Sequence, residues 1–328
     1  MFGDIHDDLL TESLAKMCQI RESELVIAEN SVKGTFKTPV HLAIGQEAIA
    51  VAVSKFLIKG DLVFGNHRSH AHYLSLGGDL LRLFEEILGK ESGTSGGRGG
   101  SMHLVDLTNG LAGTMPIVAG TIPIAAGAAL ALKRTSLDNI SVSYFGDGAT
   151  EEGVFHETLN LASNYQIPLV FICENNLMSS HLHISERQKS ESMLRFANAN
   201  YIESVCLNGN NFLELIQELK SIFQYVRTTR KPFFIEARTY RLYGHVGGQV
   251  DEEIGLYRKE DLEKWSQIDP LHLLSKYLIN NNVLSDTDFE KLVDKTRNQV
   301  RDVWDIALKT PSEHRESIYK NTFFEEAK

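Results

Sequence analysis

Short apolar runs and a stretch of helical periodicity alternate in the middle of the chain. Residues 140–145 form an apolar run rich in strand-forming residues, and residues 169–173 form a second one. Between them, the apolar residues of segment 153–165 recur at roughly helical spacing, and Pro168 stops that helix. The pattern predicts a strand, a helix and a strand, and the right-handed crossover of such a unit makes the two strands parallel.

Polar side chains follow both predicted strands. Asp147 lies between Gly146 and Gly148 after the first strand, and Asn176 follows the second. Since parallel strands bind ligands at their carboxyl ends, these groups share one edge of the sheet. Mg²⁺ takes oxygen ligands, which Asp147, Asn176 and the backbone carbonyl near Met178 supply, and the glycines let the backbone approach a phosphate. A plain turn followed by a loop is the alternative, but the full order of motifs favours the metal site.

The remaining periodicity predicts a larger α/β fold. We expect helices over residues 5–30, 42–56 and 122–133, a strand over residues 232–241, and further helices in residues 258–310. The last group begins after Asp269 and breaks at residues 280–282. These elements predict a mainly parallel sheet with helices on both faces, extended by helices at the N and C termini.

Composition agrees with a soluble globular protein. Hydrophobic residues make up 42% of the 328, which is enough for a core, and the net charge of −10 argues against nucleic acid as a partner. No apolar run has the length of a membrane span, and the first residues lack the features of a secretory signal. Cys18, Cys173 and Cys206 are scattered without metal-ligand spacing. We therefore expect a cytoplasmic protein that contacts neither nucleic acid nor membrane.

Histidines cluster in the first quarter of the chain. His41 precedes a predicted helix, where it either caps a turn or donates a hydrogen bond to a substrate carboxylate or a developing alkoxide. His67, Arg68, His70 and His72 follow a short apolar strand. Metal binding is one interpretation of this group, although no acidic or cysteine partner lies at regular spacing. Arg68 suits a bidentate contact with phosphate, and His70 suits proton transfer or substrate contact.

The segment 140–176 resembles the thiamine-diphosphate-binding motif of transketolases, pyruvate decarboxylases and 2-oxoacid dehydrogenases. A wider match, over about residues 41–271, is to the alpha subunit of the heterotetrameric 2-oxoacid and acetoin dehydrogenases. The resemblance implies a thiamine-diphosphate-binding α/β domain over residues 1–275 and a C-terminal helical extension over residues 276–328. It also implies that Asp147, Asn176 and the Met178 carbonyl bind magnesium, and that Gly148 and Ala149 line the diphosphate.

Further motifs place individual residues by the same resemblance. In HLxxGQEA the histidine, here His41, faces the substrate. In the usual Tyr-Arg-x-His, both the tyrosine and the arginine hold the diphosphate, and this chain has His67 in place of the tyrosine, followed by Arg68. The glycine-rich stretch 89–100 has the composition of a flexible tether. However, the Ser-Met-His that follows is typical of the alpha subunits and places His103 near the site.

The chain departs from the family pattern at three places. Pro116 replaces a glycine in Gly-Ile-Val-Gly, where that glycine and the valine, here Val118, contact the aminopyrimidine ring. In ExxTYRxxGH the histidine, here His245, reaches the diphosphate end of the cofactor, but residues 246–251 after it differ from the usual sequence. Segment 177–201 also differs, and its serine-rich, charged character predicts a mobile loop that orders when cofactor binds.

The implied cofactors are thiamine diphosphate and Mg²⁺. The cofactor adds its C2 carbanion to a ketone and accepts electrons while a carbon–carbon bond breaks. We expect the proton donors and anion contacts of this chain to be Arg68, His41, His70, His103 and His245. The glutamate that activates the cofactor comes from a beta subunit in this family, so we expect two alpha and two beta subunits.

Three hypotheses on function follow. The first is an alpha subunit that acts on a 2-oxoacid or acetoin and passes the acyl or hydroxyalkyl group to the lipoyl arm of an acyltransferase. The second is a subunit of a thiamine-dependent decarboxylase or ketol-transferase of sugar or secondary metabolism, without a lipoyl acceptor. The third is a regulatory or scaffold subunit that has lost catalysis, against which the retained Asp147, Asn176, Arg68 and His245 argue.

Overall fold

Parallel strands form the central sheet of the molecule. The computed structural model describes residues 6–135, 138–256 and 258–312. In chain order the strands are Leu62–Gly65 (β1), Leu111–Thr114 (β2), Ser141–Gly146 (β3), Leu169–Asn175 (β4), Met178–Ser179 (β5), Leu182–His183 (β6), Glu203–Asn208 (β7) and Phe233–Arg238 (β8). Within the described residues, six of these form one sheet in the order β2-β1-β3-β4-β8-β7, with every neighbouring pair parallel, whereas β5 and β6 form a separate antiparallel hairpin.

Helices cover both faces of this sheet. They are Asp7–Val32 (α1), Glu47–Ser54 (α2), His70–Ser75 (α3), Leu80–Ile87 (α4), Thr121–Thr135 (α5), Gly153–Tyr165 (α6), Ile184–Arg187 (α7), Leu194–Ala199 (α8), Phe212–Thr229 (α9), Lys259–Ser266 (α10), Pro270–Asn280 (α11) and Asp286–Lys309 (α12). The mainly parallel α/β fold predicted from the sequence is confirmed.

The alternation of side chains along β4 shows why the sheet needs two helical layers. Val170 and Ile172 point into the core on one side, with residues of α1, α2 and α9. Phe171 and Cys173 point into the core on the other side, with residues of α5, α6 and α8. Every residue of β4 is buried, as expected for a strand covered on both faces.

The predicted strand-helix-strand unit is present. The predicted helix has the bounds of α6, and β3 pairs with β4 in parallel from Ser141–Leu169 to Gly146–Glu174. The helix expected over residues 42–56 is shorter and begins only at Glu47. Gly45 interrupts it with a φ of +96°, at a position where a Cβ would lie 2.6 Å from the carbonyl oxygen of Tyr240. The preceding residues therefore form a loop at the end of the sheet.

Helices from the two ends of the chain pack together. Helix α1 contacts both α11 and α12, and Trp304 of α12 lies edge-on to Phe84 of α4, with ring centroids 4.9 Å apart. The predicted boundary between the α/β domain and the C-terminal extension, at residue 275, lies inside α11. This division of the chain stays a prediction. Residues 313–328 of the proposed extension lie outside the described part of the chain. No helix among the described residues is both long and apolar enough to cross a membrane.

Segment 177–201 has regular structure. It contains the β5–β6 hairpin and the short helices α7 and α8, where the sequence predicted a loop. Arg187, the last residue of α7, reaches back to the end of β3, and Met193, which is buried, packs into the core beside α6. The segment therefore lies over the carboxyl ends of the central strands.

Candidate active site

A cavity of about 900 Å³, including its open mouth, lies at the carboxyl ends of β1, β3 and β4. This is the edge at which parallel α/β sheets bind ligands. Its wall contains eleven of the residues that the sequence singled out: His41, His67, Arg68, Pro116, Val118, Asp147, Gly148, Ala149, Asn176, Met178 and His245. His70 and His103 are not part of this wall.

Asp147 and Asn176 lie at the ends of adjacent strands. Asp147 is 1% exposed, and its Oδ1 atom has no hydrogen-bond partner. The Oδ1 atom of Asn176 accepts a hydrogen bond from the backbone N–H of Met178 at 3.1 Å, and its side-chain amide donates to Gln46 at 3.3 Å. These contacts fix the carboxamide and the turn that carries the Met178 carbonyl. The three proposed metal ligands thus lie at one end of the cavity.

The residues at this end fit a hard divalent cation. Burial raises the pKa of Asp147, while the guanidinium of Arg187 opposes that rise by pairing with the carboxylate. The buried carboxylate therefore has a positive partner on one oxygen and none on the other. A Cβ on Gly146 would meet no atom within 4 Å, so the backbone is open there, whereas a Cβ on Gly148 would lie 2.5 Å from the Ser179 hydroxyl. Oxygen ligands and an accessible backbone suit magnesium with a diphosphate.

Three histidines meet in the wall of the cavity: His41, His67 and His245, here called the three-histidine cluster. Their ring centroids lie 4.6 Å (41 to 67), 5.0 Å (41 to 245) and 5.4 Å (67 to 245) apart. Burial, together with nearby positive charge, lowers the pKa of His41 to about 2 and those of His67 and His245 to about 3. All three imidazoles are therefore neutral at physiological pH.

Arg68 joins the loops around the cluster. It is 5% exposed and donates hydrogen bonds to the carbonyl of Leu42 at 2.5 Å and to that of His245 at 3.4 Å. Burial lowers its pKa to about 10, so the guanidinium stays charged at neutral pH. A fixed cation in the cavity wall provides a contact for an anionic ligand.

His70 and His103 lie apart from the cavity. His70 is fully buried, with Nδ1 2.9 Å from a carboxylate oxygen of Glu24 and Nε2 2.7 Å from the hydroxyl of Ser101. It joins α1 to the end of the glycine-rich loop, so its position is that of a structural link. His103 is exposed, and its backbone carbonyl accepts a hydrogen bond from Ser95.

Sequence reasoning missed several residues of the site. Gln46 and Glu174 lie in the cavity wall. Gln46 belongs to the HLxxGQEA motif and Glu174 to segment 140–176, and this is a signal that could have identified them. Glu174 lies 3.2 Å from Nε2 of His72, whose ring stacks on Tyr144 at a centroid distance of 3.9 Å. Arg187 carries no comparable signal, because its partner Asp147 is 40 residues away and belongs to no shared pattern.

The mouth of the cavity carries exposed apolar side chains. Ile117 is 70% exposed and Val118 is 48% exposed, although both line the cavity. Ala119 follows them with a φ of +61°, and Ile124 on α5 is also 48% exposed. An apolar rim of this kind is typical of a surface that another protein covers.

Comparison with known proteins agrees with this geometry. The family described as dehydrogenase E1 component matches residues 15–316. The alpha subunit of acetoin:2,6-dichlorophenolindophenol oxidoreductase from Bacillus subtilis (strain 168) is 36% identical over 279 residues, covering 85% of this chain and 82% of that protein. The alpha subunit of the pyruvate dehydrogenase E1 component from Rickettsia bellii (strain RML369-C) is 30% identical over 283 residues, covering 86% of each chain.

A chloroplastic relative extends the comparison to plants. The pyruvate dehydrogenase E1 component subunit alpha-3 of Arabidopsis thaliana is 29% identical over 309 residues, which is 92% of this chain and 72% of that protein. The predicted family and its cofactors, thiamine diphosphate with a divalent metal such as Mg²⁺, are confirmed, and the dehydrogenase is favoured over the decarboxylase or ketol-transferase. The chain therefore belongs to the dehydrogenase E1 component family, as the alpha subunit of a thiamine-diphosphate-dependent oxidoreductase that works with a beta subunit.

Proposed function

We propose that Asp147, Asn176 and the backbone carbonyl of Met178 bind the magnesium ion in this chain. The observation that carries the proposal is the buried Oδ1 atom of Asp147, which has no hydrogen-bond partner and lies beside Asn176 at the ends of adjacent parallel strands. An unpaired buried carboxylate oxygen is costly unless a cation takes it up. All three proposed ligands supply oxygen atoms, which Mg²⁺ prefers.

The other wall residues take the remaining roles. Gly148 and Ala149 approach the diphosphate, and Arg68 and His67 contact its oxygens, while Pro116 and Val118 lie where the aminopyrimidine ring passes. When bound, thiamine diphosphate supplies the electron sink for breaking the bond next to a ketone. His41 and His245, neutral and inside the cavity, donate hydrogen bonds to substrate oxygen. His70 and His103 support the loop that ends at Ser101.

The substrate is a 2-oxoacid such as pyruvate, or acetoin, as the names of the relatives indicate. We propose a complex of two alpha and two beta subunits, in which the beta subunit contributes the activating glutamate and covers the rim formed by Ile117, Val118 and Ile124. Their exposure supports such a partner. The acceptor is a lipoyl arm of an acyltransferase. Cys18 and Cys173 are buried free thiols, which supports a reducing cytoplasm.

Activity assays test the reaction. The chain, purified alone and together with its beta subunit, is supplied with thiamine diphosphate, Mg²⁺ and either pyruvate or acetoin, and reduction of 2,6-dichlorophenolindophenol is followed. We expect turnover only with both subunits. Turnover by the chain alone would contradict the role of the beta subunit. Product formation without acyl transfer to added oxidised lipoamide, whose disulfide would accept the electron pair as the thioester forms, would contradict the lipoyl acceptor.

A binding experiment tests the metal ligands separately from turnover. Calorimetric titration of the complex with thiamine diphosphate, at several Mg²⁺ concentrations, measures cofactor affinity. Asp147→Ala is expected to weaken this binding by at least about a hundredfold, because a charged metal ligand is lost. Glu157→Ala, an exposed acidic residue on the following helix, is the matched control. Equal affinity in the two variants would exclude Asp147 as a ligand.

A further inference from the structure

We propose that Glu236, acting through Asn175, is a positioning residue for the turn that carries the Met178 carbonyl. The inference rests on the proposed function, in which this carbonyl is one of the three magnesium ligands. Asn175 directly precedes Asn176 in the chain but is not part of the cavity wall, and neither is Glu236. Both side chains are fully buried. Their effect on the metal end of the cavity therefore passes through the turn.

These two polar side chains end an otherwise apolar face of the sheet. Cys173 of β4 and Phe234 of β8 belong to the core on the side of α5, α6 and α8. Successive residues of a strand alternate between its faces, so Asn175 and Glu236, each two residues further along, point to the same side. A carboxylate buried there is costly unless it is fully hydrogen-bonded. Its partners therefore indicate what it holds in place.

The carboxylate of Glu236 accepts four hydrogen bonds. Its Oε1 atom accepts from the side-chain amide of Asn175 at 2.8 Å and from Nε of Arg238 at 2.7 Å. Its Oε2 atom accepts from the backbone N–H of Met193 at 2.9 Å and from the hydroxyl of Ser192 at 3.3 Å. Arg238 also balances the buried negative charge. The carboxylate thus joins the end of β4 to the residues that directly precede α8.

Asn175 passes this constraint to the turn. Its Nδ2 atom donates to Glu236 and to the carbonyl of Glu191 at 3.1 Å, which leaves Oδ1 to accept from the backbone N–H of Leu177 at 3.1 Å. If the carboxamide rotated by half a turn, its NH₂ group would face that N–H and its oxygen would face the carboxylate. Glu236 therefore determines which atom of Asn175 meets Leu177.

Leu177 depends on this contact because its backbone is strained. Its φ of +66° lies in the left-handed region, which disfavours a side chain with a Cβ atom. Asn175 holds its N–H, and the N–H of Ile184 donates to its carbonyl at 2.7 Å. The next N–H, that of Met178, donates to Asn176. Relaxation of Leu177 would rotate the peptide unit before Met178 and shift the proposed carbonyl ligand.

Calorimetry on the complex of this chain with its beta subunit tests the effect on the metal site. The measured quantity is the Mg²⁺ concentration that half-saturates binding of thiamine diphosphate. Glu236→Gln replaces one carboxylate oxygen with an NH₂ group that faces hydrogen-bond donors, so we expect this concentration to rise at least about tenfold. Glu203→Gln changes an exposed carboxylate on the adjacent strand β7 and should keep the wild-type value.

A double variant isolates the contact between the two side chains. Asn175→Asp places a second carboxylate against that of Glu236, at the position of the 2.8 Å hydrogen bond, and should also raise the Mg²⁺ concentration. When Asn175→Asp and Glu236→Gln are combined, the donor and the acceptor exchange places and the net charge is that of the wild type. The double variant should therefore bind Mg²⁺ more tightly than Asn175→Asp alone, whereas two independent losses would add.

Hydrogen exchange reports on the turn without metal or cofactor. In Glu236→Gln the amides of Leu177 and Met193 should exchange faster, and by a larger factor than the amide of Ile172 in the middle of β4. A general loss of stability would instead speed all three alike. Asp147→Ala separates the two assignments: if it leaves the Mg²⁺ dependence unchanged, the magnesium assignment fails, and the exchange at Leu177 still tests the turn.

Three results would overturn the proposal. They are a wild-type Mg²⁺ requirement in folded Glu236→Gln, a double variant that binds Mg²⁺ no better than Asn175→Asp, and exchange at Leu177 and Met193 that follows Ile172. If the variants do not fold, the wild-type complex decides. Addition of Mg²⁺ and thiamine diphosphate should then slow exchange at both Leu177 and Met193, because one carboxylate connects them. Slower exchange at Leu177 alone would contradict the connection.

Discussion

The guanidinium of Arg187 forms an ion pair with the carboxylate of Asp147, at the end where we propose magnesium binds. The same guanidinium pairs with Glu151, and the Arg187 side chain is only 7% exposed. A positive charge thus lies beside one oxygen of the carboxylate whose other oxygen is proposed to bind the metal ion. We therefore expect metal binding and the position of α7 to be coupled.

Replacing Arg187 should strengthen magnesium binding. Arg187→Gln removes the guanidinium that pairs with Asp147 and opposes a metal ion there. If this ion pair weakens metal binding by about 1 kcal/mol, its loss corresponds to about a fivefold gain in Mg²⁺ affinity. The measurement is the Mg²⁺ concentration that half-saturates binding of thiamine diphosphate to the complex. Lys189→Gln, an exposed cation two residues away, is the control and should bind Mg²⁺ as the wild type does. Weaker Mg²⁺ binding by Arg187→Gln would show that Arg187 helps to hold the ligand.

Glu86 should control the order of the glycine-rich loop. Its two carboxylate oxygens accept four backbone hydrogen bonds, from Ser95 at 2.7 Å, Gly97 at 2.9 Å, Gly99 at 2.8 Å and Gly100 at 2.9 Å. In Glu86→Gln one oxygen becomes an NH₂ group that faces N–H donors, so we expect a loss of about 2–4 kcal/mol in stability.

Hydrogen exchange measures this effect directly. The amides of residues 95–100 should exchange faster in Glu86→Gln, and urea denaturation should report the lower free energy of unfolding. Glu91→Gln changes an exposed carboxylate of the same segment and serves as the control. If the loop amides exchange at wild-type rates in Glu86→Gln, then Glu86 does not order the loop.

The comparison of Glu86 with Asp147 shows what could be predicted from the sequence. Asp147 was located because its strand, the following helix α6 and the next strand each have a periodic pattern, and parallel strands bring their carboxyl ends together. Glu86 lies on a short helix, and nothing in its neighbourhood indicates that its carboxylate would meet a loop about ten residues further on. Such contacts depend on how a loop folds back, which periodicity does not encode.

The same distinction applies to the histidines. The motifs predict that His41, His67 and His245 serve one site, and in the structure all three line the same cavity. They also suggested His70 as a group in contact with substrate, but both its ring nitrogens have partners away from the cavity. His70 is the first residue of the short helix α3, and the turn before this helix sets the direction of its ring. The ring therefore faces the core and not the cavity.

Asp251 should be essential for the loop that follows His245. It is fully buried and forms ion pairs with Arg241, at 3.3 Å, and with Arg258. In Asp251→Asn both guanidinium groups lose their charged partner in a buried place, so we expect a cost of about 3–5 kcal/mol in the free energy of unfolding. Glu252→Gln, at the exposed neighbouring residue, should change stability by less than about 0.5 kcal/mol in the same urea titration. If both substitutions lowered the free energy of unfolding by a similar small amount, water and not Asp251 would be stabilising the charges of the two arginines.

The three-histidine cluster should make the metal-free protein sensitive to mild acid. The folded-state pKa values of about 2 for His41 and about 3 for His67 and His245 lie below the unfolded value of about 6.5. Between these values the unfolded chain binds more protons than the folded one, so stability is fully present above about pH 6.5 and is lost as the pH falls. At about pH 5 the loss reaches about 2 kcal/mol per imidazole.

Urea denaturation of EDTA-treated protein at about pH 7.5 and about pH 5 tests this dependence. The difference in unfolding free energy between the two pH values should be smaller by about 2 kcal/mol in His67→Phe, because that variant has no imidazole to protonate on unfolding. His272→Phe removes an exposed imidazole and should leave the difference unchanged. If His67→Phe retains the wild-type pH dependence, the acid sensitivity arises from other groups.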